Sequence, residues 1–375
     1  MKILYVTTIS NTVNAFLIPH IKMLIEQGHK VDVAFNIVQE VNPELKKLGC
    51  QIHNIEFQRT PFKKENFLAW KKVKKLVQDE KYELLHLHTP VASFITRLAC
   101  RNIPNIKKVY TAHGFHFFKG APLKNWLLFY PMEMIAAKWT DILITMNDED
   151  YLISKKIMGN KKSVFKVHGV GIDLKKFSPQ TSEIKDEIRK SYNFKKDDFI
   201  LIYAGELSYR KHQDLIINAL NLLKSKIPNI KLLLAGTGPL LDEYNQRVEQ
   251  LKLEDNVKFL GYRNDVNKLM LLSDVAVSSS RQEGLPVNVM EAMATGLPLI
   301  VTDCRGNHDL VSNEENGFVV GLNDYEQFAN AIFKLYMDVN LREKFSEKSL
   351  EIVRNYSIEK ALDEINSIYF KYDYK

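Results

Sequence analysis

FILIYAGELSYRK, residues 199–211, opens with six apolar or aromatic residues, turns at Gly205 and ends on the cations Arg210 and Lys211. A short apolar run of this kind, bounded by a glycine, reads as a buried strand. It also restarts a rhythm. Ahead of it, strand-like runs near 3–7, 31–35, 52–57, 84–88, 108–112, 142–145 and 164–168 alternate with helix-length segments. A second set, near 199–205, 230–235, 257–260, 274–278 and 299–301, repeats the alternation, and helical pattern fills 323–373. Strands that alternate with helices from end to end predict an α/β protein with parallel sheets. Between the sets, HGVGIDLKKFSP at 168–179 suits a linker. Two domains are therefore expected, 1–178 and 179–357, and 375 residues suffice for two cores.

Ligands of open parallel sheets bind beyond the carboxyl ends of the strands, and the chemically loaded residues fall there. After the fourth strand of the second set comes SSRQEGLPVNVMEAMATGLP, residues 279–298. Pro286 suits a first helical position, and Gly296 with Pro298 supplies a stop. The amides around Val287 and Asn288 at such a helix start can meet a phosphate. Gly284 removes a Cβ next to Leu285, and Glu283 and Glu291 can each accept bonds from ligand hydroxyls. The two lie roughly 8 Å apart along a helix axis, which suits a nucleotide-diphosphate sugar, with hydroxyls on either side of its diphosphate. Two other glutamate pairs share the spacing, 343/351 and 351/359, but sit in charged helical sequence without Gly or Pro. Past Gly205, Lys211 and Arg210 are placed to stabilise negative charge growing on a departing diphosphate.

These blocks resemble the family-4 retaining glycosyltransferases. Glu283–Glu291 is similar to the family's E-x7-E signature, Gly205–Lys211 to its G-R-L-x-x-x-K block, and Thr111-Ala-His113-Gly to its T-x-H-G turn. The linker 168–179 resembles N-G-V-D-x3-F-x-P. Gly236-Thr-Gly238 and Gly261-Tyr262-Arg263 resemble turns around the base and nucleotide, and equally fit plain punctuation between strand and helix. Two positions depart from the pattern. The arginine of the lysine block is Glu206, for which Arg210 is expected to compensate, and the glycine-rich loop is TISNTVN, residues 8–14. Without glycine there, the side chains of Ser10, Asn11, Thr12 and Asn14 would serve diphosphate or acceptor. The resemblance implies the GT-B fold, two Rossmann-like domains facing a cleft. The first holds an acceptor and takes back the helix near 358–374 (residues 358–375 crossing over); the second holds the donor. It further implies transfer with retention, Glu283 on the donor sugar, Glu291 on ribose hydroxyls and His113 near the reacting centre.

The net charge of +7 hides an asymmetry: residues 1–178 carry 27 Lys+Arg against 15 Asp+Glu, and 179–375 carry 25 against 30. Lysines 63, 64, 71, 72, 74, 75 and 81 cluster around a helix-periodic segment with Phe67, Leu68, Trp70, Val73 and Leu76. Lysines commonly solvate such a face; they also suit anionic headgroups. No nucleic-acid motif accompanies them. With Phe115–Phe118 and the aromatic stretch Trp126–Trp139, the basic half suits a cytoplasmic enzyme peripheral to the inner membrane face and acting on a lipid-linked sugar. Its look is closest to bacterial capsule or exopolysaccharide enzymes. Cys50, Cys100 and Cys304 form no disulfide framework or zinc pattern. Asp148-Glu149-Asp150 reads as a helix start, and neither cofactor nor metal is expected. A sugar-nucleotide epimerase of the same architecture and a non-catalytic nucleotide-sugar-binding partner remain as alternatives.

Overall fold

The computed structural model describes residues 1–159 and 163–370. They divide into two compact units, Met1–Gly171 with the helix Ile358–Phe370, and Ile172–Ser357. The first unit is built on seven strands, β1 (Lys2–Ile9), β2 (Lys30–Asn36), β3 (Ile52–Asn54), β4 (Leu84–His88), β5 (Lys107–Thr111), β6 (Ile142–Thr145) and β7 (Ser163–Lys166). All pair in parallel, in the order β3-β2-β1-β4-β5-β6-β7. The second has six, β8 (Phe199–Ala204), β9 (Ile230–Ala235), β10 (Val257–Gly261), β11 (Val275–Ser278), β12 (Leu299–Thr302) and β13 (Gly317–Val320), in the order β10-β9-β8-β11-β12-β13. Central strands such as β4, β6 and β11 are buried along their whole length, because helices cover both faces of a parallel sheet. In each unit the strand order reverses once, between β1 and β4 and between β8 and β11, which marks the places where ligands of such sheets bind.

Three local expectations are corrected, and the basic helix acquires a defined buried face. No loop follows β1: Ser10–Thr12 is already helical, Val13–Leu17 forms a wider π-helical turn and Ile18–Glu26 continues the helix. Burial of Val13 and Leu17 draws that segment onto the sheet. The stretch 317–320 is a strand, β13, where none was expected. The basic helix Glu65–Glu80 buries Asn66, Ala69, Val73 and Val77, so Phe67 and Leu68 stay exposed beside Lys71 and Lys72. Asn66 sets that rotation by accepting from Gln58 N and donating to the carbonyls of Thr60 and Pro61. Phe115 and Phe117, read as part of a membrane- or acceptor-facing segment, stack on each other inside the core, with centroids 4.7 Å apart.

One buried ion pair locks the first unit. Arg97, on the helix Pro90–Ala99, donates to both carboxylate oxygens of Glu133, the nearer at 2.9 Å, and lies over the Tyr110 ring. The helix Ile358–Phe370 packs into the same unit through Ala361, Ile365, Ile368 and Tyr369. Gly171 admits it: its φ is +84°, and a Cβ there would stand 2.6 Å from the Ile358 Cα. The last predicted helical residues, 371–374, lie outside the described residues.

Candidate active site

In the second unit the reversal between β8 and β11 brings two chain segments together. Beyond β8, Gly205 lies against the Lys211 side chain, whose Cε would stand in ordinary contact, 3.4 Å, with a Cβ at Gly205. Beyond β11, Ser279 donates to the carbonyls of Lys211 and His212, and Arg281 N donates to Arg210 O. Tyr203 OH donates to Lys211 O and shares a bond with Ser280 Oγ. These bonds fix Glu283 and its partners. Lys211 Nζ stands 2.7 Å from Glu283 Oε1, Arg210 Nη1 3.0 Å from Oε2, and Ser280 Oγ donates to Oε1 at 2.6 Å. Burial alone would raise the Glu283 carboxyl, but Lys211 and Arg210 outweigh it and hold the group below the ordinary glutamate value.

The helix after Glu283 runs from Val287 to Thr295 and ends on Gly296 at φ +77°. Pro286 lies one position outside it, extended at φ −76° and ψ 115°, and is not its first residue. The first-turn amides at Val287 and Asn288 have no carbonyl within the helix to bond. Leu285 is buried against the core. Glu291, within the helix, has its carboxyl pushed up to about 7 by burial, with Lys176 pulling weakly the other way. The Gly284 segment is backed by Arg305, whose Nε donates to Glu283 O at 2.9 Å, and by Gly306.

Other expected donor residues sit differently. Gly236 and Gly238 pack against the segment after β8: Cβ atoms there would lie 2.0 Å from Gly205 O and 2.2 Å from Leu207 O. Their absence of side chains serves this approach of backbone to backbone. Arg263 is paired with Asp265, Nε to Oδ1 at 2.8 Å, while Tyr262 is exposed.

The first unit's reversal carries a second constellation. His113, beyond β5, meets His88 at the end of β4, Nε2 to Nδ1 at 2.9 Å. Burial pushes His113 down to about 4. Ser10 and Asn14 are engaged structurally. The Ser10 hydroxyl accepts from Gln39 N and Val38 N, and Asn14 donates to Glu40 O and accepts from Asn42 N. Asn11 differs, with a buried Oδ1 that has no partner; Thr12 is half-buried. The acidic run 148–150 opens the helix Asp148–Met158: Lys166 pairs with Asp148, Lys119 N donates to Glu149, and Phe115 N donates to Asp150.

Models of the families described as "Glycosyl transferases group 1" and "Glycosyl transferase 4-like" match residues 184–351 and 2–147. A putative glycosyltransferase of Bacillus subtilis, EpsD, is 37% identical over 99% of this chain and 97% of its own length. The chain belongs to the group 1, family-4-like glycosyltransferases. A UDP-Gal:alpha-D-GlcNAc-diphosphoundecaprenol alpha-1,3-galactosyltransferase of Escherichia coli is 32% identical over 79% of this chain and 77% of its own. The crystal structure of Anabaena HepE in complex with UDP-glucose superposes with a TM-score of 0.81 at 19% identity, covering 99% of this chain and all of that one. The GT-B architecture is thereby shared. This chain is thus a glycosyltransferase by family. Sequence reading missed four of its residues, His86, His88, Ser280 and Arg305. Two histidines at i and i+2 near the carboxyl end of one strand, on the same face of the sheet, were the available signal; a serine next to a strand end and an arginine before a glycine were not distinctive.

Proposed function

We propose that this glycosyltransferase moves a sugar from a UDP-sugar to a lipid-linked sugar acceptor, with retention at the anomeric carbon, in the assembly of a cell-surface glycan. The observation that carries it is the convergence of Lys211 and Arg210 on Glu283 where the second sheet reverses its order. When the diphosphate enters, the two cations take up the charge released as the bond between sugar and phosphate breaks, so a divalent metal is not required. Arg210 thus supplies the cation that Glu206 cannot. Glu283, with its counter-ions drawn to phosphate, accepts from hydroxyls of the donor sugar, and Glu291 accepts from ribose hydroxyls. The acceptor hydroxyl attacks on the face from which the diphosphate departs and passes its proton to the leaving phosphate oxygen. His113 is a hydrogen-bonding group of this reaction, and Asn11, with its buried and unpartnered side-chain carbonyl, a further one.

The E. coli relative's diphosphoundecaprenol acceptor supports a lipid-linked substrate. No helix among the described residues is long and apolar enough to cross a membrane. The surface that suits a peripheral mode at the inner membrane face is the exposed set Phe62, Phe67 and Leu68 with Lys63, Lys64, Lys71 and Lys75. The test combines a thermal-shift panel of nucleotide sugars with transfer to undecaprenyl-diphosphate sugars, the product anomer read by NMR and the rate compared with and without chelator. Acceptor-dependent UDP release with a retained anomer is expected. Conversion of the nucleotide sugar without acceptor would instead establish an epimerase, and binding without release a non-catalytic partner.

A further inference from the structure

His88 lies at the carboxyl end of β4, where the first sheet reverses its order, and it is buried. Its Nδ1 faces His113 Nε2 at 2.9 Å, while its Nε2 is enclosed and has no partner. Its neighbour His86 is satisfied on both sides: Nε2 meets Thr111 Oγ1 at 2.7 Å, and Nδ1 meets the Tyr369 hydroxyl, itself 3.1 Å from the Tyr5 hydroxyl. His20, the fourth histidine of the group, meets Val170 O through Nε2. The backbone just after His88 is strained. Thr89, a β-branched residue, is held at φ +63° by Thr8, whose amide and hydroxyl both meet Thr89 Oγ1. Backbone strain of this kind clusters at functional sites. The rings of Tyr5 and His86 pack on His88, at centroid distances of 5.4 and 4.2 Å, and fix its plane.

Burial drives His88 and His113 toward the neutral form, so one N–H lies between the two rings. Two arrangements are open. If His113 donated to His88, the enclosed His88 Nε2 would carry a hydrogen with nothing to receive it. If His88 donates, that atom is a bare lone pair, and orphaned buried N–H groups are the rarer of the two defects. Resting on the reading of His113 as a group of the transfer reaction, we infer that His88 is a positioning residue that fixes His113 as the Nδ1–H tautomer. His113 therefore meets its ligand as a hydrogen-bond donor to oxygen, not as a base.

The test uses the full chain labelled with 15N-histidine at pH 7.5, with His113 assigned by its loss in His113→Ala. Long-range proton–nitrogen correlation should show a protonated Nδ1 and a bare Nε2 on His113; a protonated Nε2 overturns the inference. His88→Phe should release that preference and lower kcat about 10- to 100-fold with donor KM changed less than about threefold. His88→Gln, whose amide keeps a donor, should recover most of the loss, with thermal midpoints certifying the fold of each variant. In the His113→Ala background, His88→Phe should cost nothing more, because its effect passes through His113. An additive loss would overturn the inference. If His113→Ala alone leaves kcat unchanged, the reading of His113 as a reaction group fails, while the tautomer measurement still decides what His88 does.

Discussion

Replacing Lys211 by Met keeps the side chain's bulk and removes the ammonium 2.7 Å from Glu283 Oε1. Lys211 and Glu283 are both buried, and stripping one partner from a buried pair costs about 3–5 kcal/mol when nothing compensates. Here Arg210 and the Ser280 hydroxyl remain on the carboxylate, but Arg210 is 44% exposed and screened by water. A loss of about 2 kcal/mol at pH 8 is therefore expected. Its pH dependence carries the argument. In the unaltered chain the Glu283 carboxyl lies below its ordinary value, so its stabilisation is present above the unfolded pKa and lost as pH falls through the folded one. In Lys211→Met burial dominates and raises that carboxyl, so the penalty belongs to the ionised form and fades toward pH 5. Urea denaturation at pH 5 and pH 8 reads the difference. Lys211→Met/Glu283→Gln removes the stranded charge and should regain most of the stability, yet turnover should stay down at least about 10²–10³-fold, because the proposed phosphate cation and the proposed sugar-binding carboxylate are both gone. A stability loss equal at both pH values, or one that Glu283→Gln deepens, would refute the electrostatic account. Recovery of turnover in the double variant would refute the catalytic one.

Glu133→Ala should strand Arg97 inside the first unit and lower stability by about 3–5 kcal/mol, read by urea denaturation; a loss below about 1 kcal/mol would mean that the pair is dispensable. Glu291, with its carboxyl raised to about 7, takes up a proton more readily folded than unfolded, so stability falls as pH rises from about 4.5 to 7. Glu291→Gln should thus stabilise the chain by about 2 kcal/mol at pH 8 and by little at pH 5, in paired thermal scans, while weakening nucleotide binding. Gly238→Ala puts a Cβ 2.2 Å from Leu207 O, a clash with backbone that cannot swing aside. A loss of about 1–3 kcal/mol and a lower kcat are expected, checked by denaturation and UDP release.

The strand rhythm was legible because strands covered on both faces, such as Leu84–His88 and Phe199–Ala204, are written as apolar runs. The edge strand Gly317–Val320 escaped, being four residues long with a polar approach. The Glu283 segment and Lys211 were readable from their place after strands, whereas their ion pairing was not, since nothing local to either says that β8 and β11 lie side by side. Ser10 and Asn14 looked like ligand groups because the residues that occupy them, Gln39, Glu40 and Asn42, are nearly thirty positions away. His86 and His88 were hidden for the opposite reason: their strand explained them too easily. The exposure of Phe67 and Leu68 was not legible because helical spacing alone does not say which stripe turns inward, and Asn66 decided it.

The helix Ile358–Phe370 closes the unit that the ribosome makes first. The amino-terminal sheet leaves the exit tunnel without the side chains of Ala361, Ile365, Ile368 and Tyr369, and waits for the entire second unit to be synthesised before it is sealed. During that interval its apolar flank is open to chaperones or to a neighbouring nascent chain. Because Tyr369 bonds His86 beside the His88–His113 pair, the histidine cluster is also among the last parts of the molecule to be assembled.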